Sequence, residues 1–332
     1  MIETTWIPLK QHIIDDISKQ LNISTNYIDF SINEVNSMNF RIYVNSQEVI
    51  NGFRTLFEPT SQTCTECFIL YVDIFSCEKL KEILSLKYNI NTHCIGLFDE
   101  TSKVGLISGD SAFGLIKSTV IGIYSFYLQK FKMFPVHAAI LDYKDNGCLF
   151  IGAGGAGKTS IILNLMTKLR NQMKILTDDW AVLSEDANKI IAQSIEKRIS
   201  YKNIHIHENE YITELLIAYN NNYITGLTKV YVNPEDIFGE HSFVNISNIQ
   251  KIVVLFPINT GKFLYPITIK NVLDMFISTT YHMPNCNSQF VHQHRQFWEN
   301  NFQNIPVWAC ETRHPIENRE SLYEKLIALL DN

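Results

Sequence analysis

The feature that most constrains this chain is a glycine-rich run with a β-type segment before it and a helical pattern after it. Residues 152–160 read Gly-Ala-Gly-Gly-Ala-Gly-Lys-Thr-Ser and fit the phosphate-loop pattern G-x-x-x-x-G-K-[ST]. Residues 148–151 are a short apolar run, and residues 160–166 place apolar side chains at helical spacing. Strand, glycine loop and helix in this order is the context that the motif requires. The alternative, a glycine-rich turn that binds nothing, is weaker in this context.

The residue types in the loop suit a triphosphate. Glycines allow backbone N–H groups to turn inward, and the start of the following helix favours an anion. Lys158 would reach the β- and γ-phosphates of ATP, and Thr159 would offer its hydroxyl to Mg²⁺. The predicted nucleotide-binding residues are Gly152, Ala153, Gly154, Gly155, Ala156, Gly157, Lys158, Thr159 and Ser160.

Composition narrows the class of protein. The chain has 332 residues, of which 46% are hydrophobic and 19% charged, so it is expected to fold as an ordinary α/β globular protein. The net charge of −6 comes without a basic patch, which argues against nucleic acid as a partner. The first residues lack a signal-peptide pattern, and Lys117 interrupts the apolar run at 112–128. We therefore expect no membrane span and a cytoplasmic location.

Two domains are predicted. Residues 1–110 alternate strand and helix patterns and are expected to form a smaller α/β or α+β accessory domain, whose role in substrate recognition or in an interface stays open. Residues 111–332 are expected to form the phosphate-loop domain. The predicted strands of the first domain are 40–44, 68–75 and 93–97, its helices are 9–21 and 77–86, and a helix at 112–131 leads into the second domain.

A predicted hairpin delivers the glycine loop. Residues 136–142 favour a strand, residues 143–147 a turn centred on Asn146-Gly147, and residues 148–151 the returning strand. His137 begins the first arm, while the second arm ends at the loop. The hairpin can therefore bring His137 toward bound phosphate.

Two adjacent carboxylates follow the next strand pattern. The run at 174–183 contains Asp178 and Asp179, which come 20 and 21 residues after Lys158. Ligands gather at the carboxyl ends of strands in open α/β sheets, so this pair is suited to Mg²⁺ binding and general-base chemistry. A surface turn or a helix cap is the structural alternative.

Other patterns carry less chemistry. His292 and His294 are two residues apart and would not share a helical face, so a metal site there is disfavoured. A zinc grouping could also be drawn, but reduced cysteines fit the spacing better; its members would be Cys64, Cys67, Cys77, His93 and Cys94. Further elements are expected as a strand, a proline turn and a short acidic segment at 228–238, strands at 251–256 and 305–310, and helices at 272–279 and 321–330.

Taken together, the motifs resemble a known family. His-Ala-Ala-Ile-Leu-Asp from residue 137, the hairpin, the glycine loop and Thr-Asp-Asp-Trp-Ala-Val-Leu from residue 177 come in the order found in HPr kinase/phosphorylase. The resemblance implies the P-loop fold shared with phosphoenolpyruvate carboxykinase. It also implies that Asp179 is the general base, that Asp178 orients it or binds Mg²⁺, and that His137 lies beside this acid.

The chain departs from the family after the aspartates. HPr kinases carry Glu-Ile-Arg-Gly-Leu-Gly-Ile there, whereas residues 193–199 read Gln-Ser-Ile-Glu-Lys-Arg-Ile. Glu196 is the candidate for the family's metal-binding glutamate, and Arg198 or Lys229 for its downstream arginine. Members without the HPr signature include kinases that phosphorylate ribosomally made peptides.

These features predict an ATP- and Mg²⁺-dependent kinase that acts on a serine-type hydroxyl of a peptide or protein. Two alternatives use the same loop: a regulatory module that senses or hydrolyses ATP, and a kinase of a small hydroxylated metabolite. The acceptor, the reverse phosphorylase reaction and homo-oligomer formation are left open by the sequence.

Overall fold

The computed structural model describes residues 4–8, 26–32, 38–57, 67–73, 94–99, 103–109, 113–170, 172–202, 229–280 and 288–332. The chain divides into two compact units, a first unit of residues 1–127 with 282–287 and a second of 128–281 with 288–332. Both combine strands with helices, which confirms the expected α/β class. The domain boundary at residue 110 and the role given to residues 1–110 stay predictions. Within the described part of the chain, none of the helices has the length and apolar character needed to cross a membrane.

The first unit is built on a six-stranded mixed sheet. The described elements are β1 (Thr4–Pro8), β2 (Tyr27–Ile32), β3 (Met38–Tyr43), α1 (Gln47–Leu56), β4 (Phe68–Val72), β5 (Cys94–Asp99), β6 (Val104–Gly109) and α2 (Phe113–Leu128). The strand order in the sheet is β1-β5-β6-β4-β3-β2. The side chain of Ser46 accepts a hydrogen bond from the N–H of Val49 and so caps α1. Phe30 stacks on Phe53 of α1 with 4.9 Å between ring centroids. The predicted helices at 9–21 and 77–86 lie outside the described residues.

The second unit contains an eight-stranded sheet and a separate two-stranded ribbon. Its described elements are β7 (Phe134–Tyr143), β8 (Asn146–Gly152), α3 (Lys158–Lys168), β9 (Met173–Thr177), β10 (Trp180–Asp186), β11 (Lys189–Ser194), β12 (Ile199–Lys202), β13 (Lys229–Val232), α4 (Pro234–Phe238), β14 (Ile246–Phe256), β15 (Leu264–Ile267), α5 (Leu273–Thr280), α6 (Ser288–Asn301), β16 (Val307–Glu311) and α7 (Ile316–Asp331). Strands β12 and β13 form the ribbon. Strand β11 pairs with β10 and also with the first half of β14, so β7, β8, β14, β11 and β10 form a closed circuit of strand pairing.

Alternation along the central strands explains the layers. On β7, Ala139 and Leu141 pack into the cluster that includes side chains of α3 and α7, while Ala138 and Ile140 pack into the cluster that includes α5 and α6. Successive side chains of a strand point to opposite faces, so both faces of the sheet are buried. The same alternation puts His137 on the face covered by α3.

The hairpin β7–β8 is present, but its turn differs from the prediction. Tyr143 pairs with Asn146, so the turn residues are Lys144 and Asp145, with φ of 52° and 64°. Gly147 lies inside β8 instead of in the turn. A Cβ there would lie 2.7 Å from the hydroxyl oxygen of Ser247, so glycine is required at this position by close packing.

The run at 174–183 is also more complex than one strand. Strands β9 and β10 lie end to end along β7, with Thr177 opposite Ile140 and Trp180 opposite His137. Residues 178–179 form a bend between the two strands. The two carboxylates are therefore in the middle of an interrupted strand. The proline turn and acidic segment predicted within 228–238 instead form the short helix α4, which starts at Pro234 after the N-cap residue Asn233.

Candidate active site

The glycine loop lies between β8 and α3 in a conformation that needs glycine. Gly155 and Gly157 have φ of 81° and 97°, in the left-handed region that disfavours other residues. A Cβ on Gly152 would lie 2.9 Å from the Cβ of Ala156 and 3.0 Å from the carbonyl oxygen of Leu255, so this end of the loop packs tightly on β14. Both backbone shape and packing therefore fix the loop.

The start of α3 is suited to an anion. Gly157 occupies the N-cap position, and no side chain among the described residues caps the helix there. The first N–H groups of a helix have no partner within the helix, and the helix dipole favours negative charge at the same end. The loop and the helix start can therefore hold phosphate oxygens together.

Lys158 follows the loop directly and is buried. Its Nζ donates a hydrogen bond to the carbonyl oxygen of Gly152 at 2.7 Å, so the side chain reaches back across the loop. An ammonium group has three N–H donors, which suit phosphate oxygens as acceptors. The position fits the phosphate contact predicted for this lysine.

Asp178 meets the helix start through Thr159. The Oγ1 of Thr159 donates to Oδ1 of Asp178 at 2.8 Å, and the aspartate side chain is buried. Because the hydroxyl proton is used in this bond, the oxygen lone pairs of Thr159 stay suited to a cation. Hydroxyl and carboxylate oxygens are the hard ligands that Mg²⁺ prefers, so these two residues fit a magnesium site.

Asp179 contacts a different partner from its neighbour. The Nε2 of His137 lies 2.8 Å from Oδ1 of Asp179, and the N–H of Ala138 donates to the carbonyl oxygen of Asp179 at 2.9 Å. The ring of Trp180 stacks on His137 with 5.0 Å between centroids and 19° between planes. Trp180 and His137 are a direct cross-strand pair, which holds the imidazole against the aspartate.

The side chain of Thr177 shapes the bend that separates the two aspartates. Its hydroxyl donates to the carbonyl oxygen of Trp180 at 2.9 Å and accepts from the N–H of Asp179 at 3.3 Å. These bonds hold the bend, together with the bond from the N–H of Ala138 on β7 to Asp179. The structure thus brings together Lys158 and Thr159 on the loop, Asp178 beside Thr159, and Asp179 beside His137.

A second acidic group lies at the same edge of the sheet and was missed by the sequence prediction. Strands β8, β14 and β16 are parallel, and Glu311 is the last residue of β16. Its carboxylate accepts from the N–H and the hydroxyl of Thr260 at 2.7 Å and 2.5 Å. Burial opposes ionisation of Glu311, but the bonds from Thr260 and the charge of His314 outweigh it and lower the pKa. The next residue, Thr312, has its Cβ 3.9 Å from the point that a Cβ on Gly157 would occupy.

Three further residues, Glu196, Arg198 and Lys229, were predicted from the sequence as candidates for a metal-binding glutamate and a catalytic arginine. Glu196 is buried just after β11, and its carbonyl oxygen accepts from the hydroxyl of Ser194 at 2.8 Å. Arg198 precedes β12, and Lys229 begins β13. Their assignments stay predictions.

The alternative metal groupings gain no support. Cys64, Cys77 and His93 lie outside the described residues, so the zinc alternative stays untested. The Nε2 of His294 accepts from the indole Nε1 of Trp298 at 2.8 Å, and burial lowers the pKa of this histidine to about 3. Across the ranges that the structure describes, no three or more His, Cys, Asp or Glu side chains are grouped to hold a metal ion.

Strand, glycine loop and helix are present in the order that the sequence predicted, with a threonine–aspartate pair at the helix start. Among solved structures, the chain is similar to the Hpr(Ser) kinase/phosphatase from Coxiella burnetii, with 14% identity and a TM-score of 0.32. The match covers 60% of this chain and 99% of that one. It is a distant structural similarity. No protein-family model matches the chain, and no curated protein matches it.

Proposed function

We propose that this protein is an ATP- and Mg²⁺-dependent kinase, with a P-loop domain of the HPr kinase type, that phosphorylates a serine-type hydroxyl on a peptide or protein. The observation that carries the proposal is that the neighbouring carboxylates of Asp178 and Asp179 contact different partners. One contacts the phosphate loop through Thr159, and the other pairs with His137. Because the two residues are consecutive, their Cα atoms are about 3.8 Å apart, which supports assigning both carboxylates to one site.

Each residue then has a role. The loop amides and Lys158 bind and orient the triphosphate. Thr159 and Asp178 would hold Mg²⁺, which offsets the charge that develops on the phosphates. Asp179 accepts the proton of the acceptor hydroxyl while the new O–P bond forms and the bond to the β-phosphate breaks, which yields ADP and a phosphorylated acceptor. His137 orients Asp179 through its 2.8 Å contact with Oδ1.

The test uses purified protein with Mg²⁺, ATP and a library of serine-containing peptides, read by mass spectrometry. Lys158→Ala is expected to abolish ATP-dependent turnover, because the phosphate ligand is lost. Asp179→Asn is expected to bind ATP normally but to lose transfer by about 100-fold or more, since an amide cannot accept the proton. Transfer by Asp179→Asn at the wild-type rate would show that the base assignment is wrong.

Two other outcomes decide between classes. ADP and phosphate without any modified peptide or small hydroxylated compound would support a regulatory ATPase. Transfer to a small hydroxylated metabolite alone would keep the catalytic roles but change the acceptor class. We propose that the first domain contributes to acceptor recognition; its removal should then affect the KM for the acceptor more than that for ATP.

A further inference from the structure

Asp178 is held from two sides by the described chain. Its Oδ1 accepts from Thr159, as described above. Its Oδ2 accepts from the backbone N–H of Ser200 at 2.8 Å and from the Ser200 hydroxyl at 3.1 Å. Ser200 lies 22 residues further along the chain, on β12. The carboxylate is therefore a bridge between the phosphate loop and the ribbon β12–β13.

The split between the two oxygens fixes the orientation of the carboxylate. Rotation about the last side-chain torsion of Asp178 would move Oδ1 away from Thr159 and Oδ2 away from Ser200. Donors to a buried carboxylate form strong, charge-assisted hydrogen bonds. Ser200 thus determines the direction in which Asp178 accepts the Thr159 proton, and so the direction in which the lone pairs of Thr159 point.

Ser200 is itself held firmly in place. Its neighbour Ile199 is buried in the same hydrophobic cluster as Ile161 and Ile162 of α3. Across the ribbon, Ser200 pairs with Tyr231, and the adjacent Val232 is buried in that cluster too. Helix α3 and the start of β12 therefore share one core, so Ser200 keeps a fixed position relative to the helix start.

We propose that Ser200 is a positioning residue for the divalent cation of the phosphate loop. It acts through Asp178 on Thr159 and does not contact the cation itself. The inference rests on the proposed function in one respect, namely that ATP binds this loop with Mg²⁺. It adds a residue that the motifs do not contain.

The test measures cation binding without relying on catalysis. ATP binding is followed by calorimetry for the wild-type protein and for Ser200→Ala, at a series of Mg²⁺ concentrations and also in EDTA. We expect the Mg²⁺ concentration for half-maximal enhancement of ATP binding to rise about 10-fold in Ser200→Ala, as is usual when an outer-shell partner of a metal ligand is lost. ATP binding in EDTA should stay unchanged. Ser200→Thr keeps a hydroxyl and should restore the wild-type Mg²⁺ response.

Ser247→Ala is the matched control. The hydroxyl of Ser247 also donates to a buried aspartate, Asp142, at 2.5 Å, but Asp142 lies at the hairpin end of β7. Both variants lose a buried serine–aspartate bond, so thermal stability should fall in both, while only Ser200→Ala should change the Mg²⁺ response.

The outcomes separate this inference from the proposed function. If wild-type protein binds Mg²⁺-ATP and Ser200→Ala responds to Mg²⁺ like Ser247→Ala, Ser200 only stabilises the fold and the inference is wrong. If Ser200→Thr fails to restore the response, the hydroxyl is not the relevant group and the inference is again wrong. If the wild-type protein shows no Mg²⁺-dependent ATP binding, the proposed function fails, and this inference fails with it.

Discussion

Asp178 and Asp179 are neighbours in the chain, yet their carboxylates contact different elements. The bend held by Thr177 makes this divergence possible, because two bonds to its hydroxyl help to hold the backbone at that point. A simple surface turn would leave both carboxylates to water. Here one is buried against the loop and the other is paired with an imidazole that Trp180 holds by stacking. Both carboxylates are therefore held by specific protein partners, as expected for a functional site and not for a surface turn.

The variant His137→Gln tests the contact between His137 and Asp179. Glutamine removes the imidazole that contacts Asp179 while keeping a polar side chain of moderate size. We expect phosphoryl transfer to fall, but by less than the about 100-fold or more expected for Asp179→Asn, because the base is kept and only the group that orients it is lost. Calorimetry should show unchanged binding of Mg²⁺-ATP, because the loop and Asp178 are not touched. Equal loss of binding and transfer would instead indicate that His137 supports the loop.

At the scale of elements, the hairpin β7–β8 connects the histidine strand to the phosphate loop. Its turn residues Lys144 and Asp145 both have positive φ, which ordinary L-residues adopt at a cost. Strands on either side pair directly, so the turn sets their register and hence the end point of β8.

Asp145→Gly should stabilise the protein by about 0.5–1 kcal/mol, because glycine adopts a φ of 64° without strain. The ion pair that is lost, at 3.8 Å from Lys174, is exposed and contributes little. Gly147→Ala is the control and should destabilise, since its Cβ would meet Ser247. The free energy of unfolding from urea titration measures both. If Asp145→Gly destabilises the protein, the positive φ of Asp145 is not a source of strain and the prediction is wrong.

Sequence patterns predicted the features that depend on neighbouring residues and missed those that depend on contacts between residues distant in the chain. The glycines at 155 and 157 and the helix after Lys158 belong to one contiguous motif, so pattern and conformation agree. The turn was misplaced because Gly147 looks like a turn residue, whereas the demand on it comes from Ser247, 100 residues away. Ser200 and Glu311 were missed for the same reason: their partners, Asp178 and Thr260, are 22 and 51 residues away in the chain.

At the scale of the whole molecule, acid should weaken the second unit through His294. This histidine is fully buried, contacts Phe134 and Trp298, and has its pKa lowered to about 3. In the unfolded chain it takes up a proton below about pH 6.5. The stability that the neutral form contributes is therefore complete above pH 6.5 and is lost as the pH falls toward 3.

The expected slope is about 1.4 kcal/mol of unfolding free energy per pH unit between pH 6 and 4, in addition to the effect of carboxylates. His294→Gln keeps an acceptor for Trp298 but does not titrate, so this part of the slope should disappear. Urea titrations followed by tryptophan fluorescence, at several pH values, measure the difference. Identical slopes for both proteins would contradict the assignment.

The bend at residues 178–179 also has a consequence for how the chain tolerates changes in length. Two residues of the bend lie opposite two residues of β7, so one residue inserted or deleted here would shift every later pairing of β10. It would also separate both carboxylates from their partners at once. The exposed turn at Ala187 and Asn188, a few residues further on, has positive φ values of its own but lies away from both carboxylates. Insertions and fused tags therefore belong at that turn, while the spacing from Thr177 to Trp180 should be left untouched in any redesign.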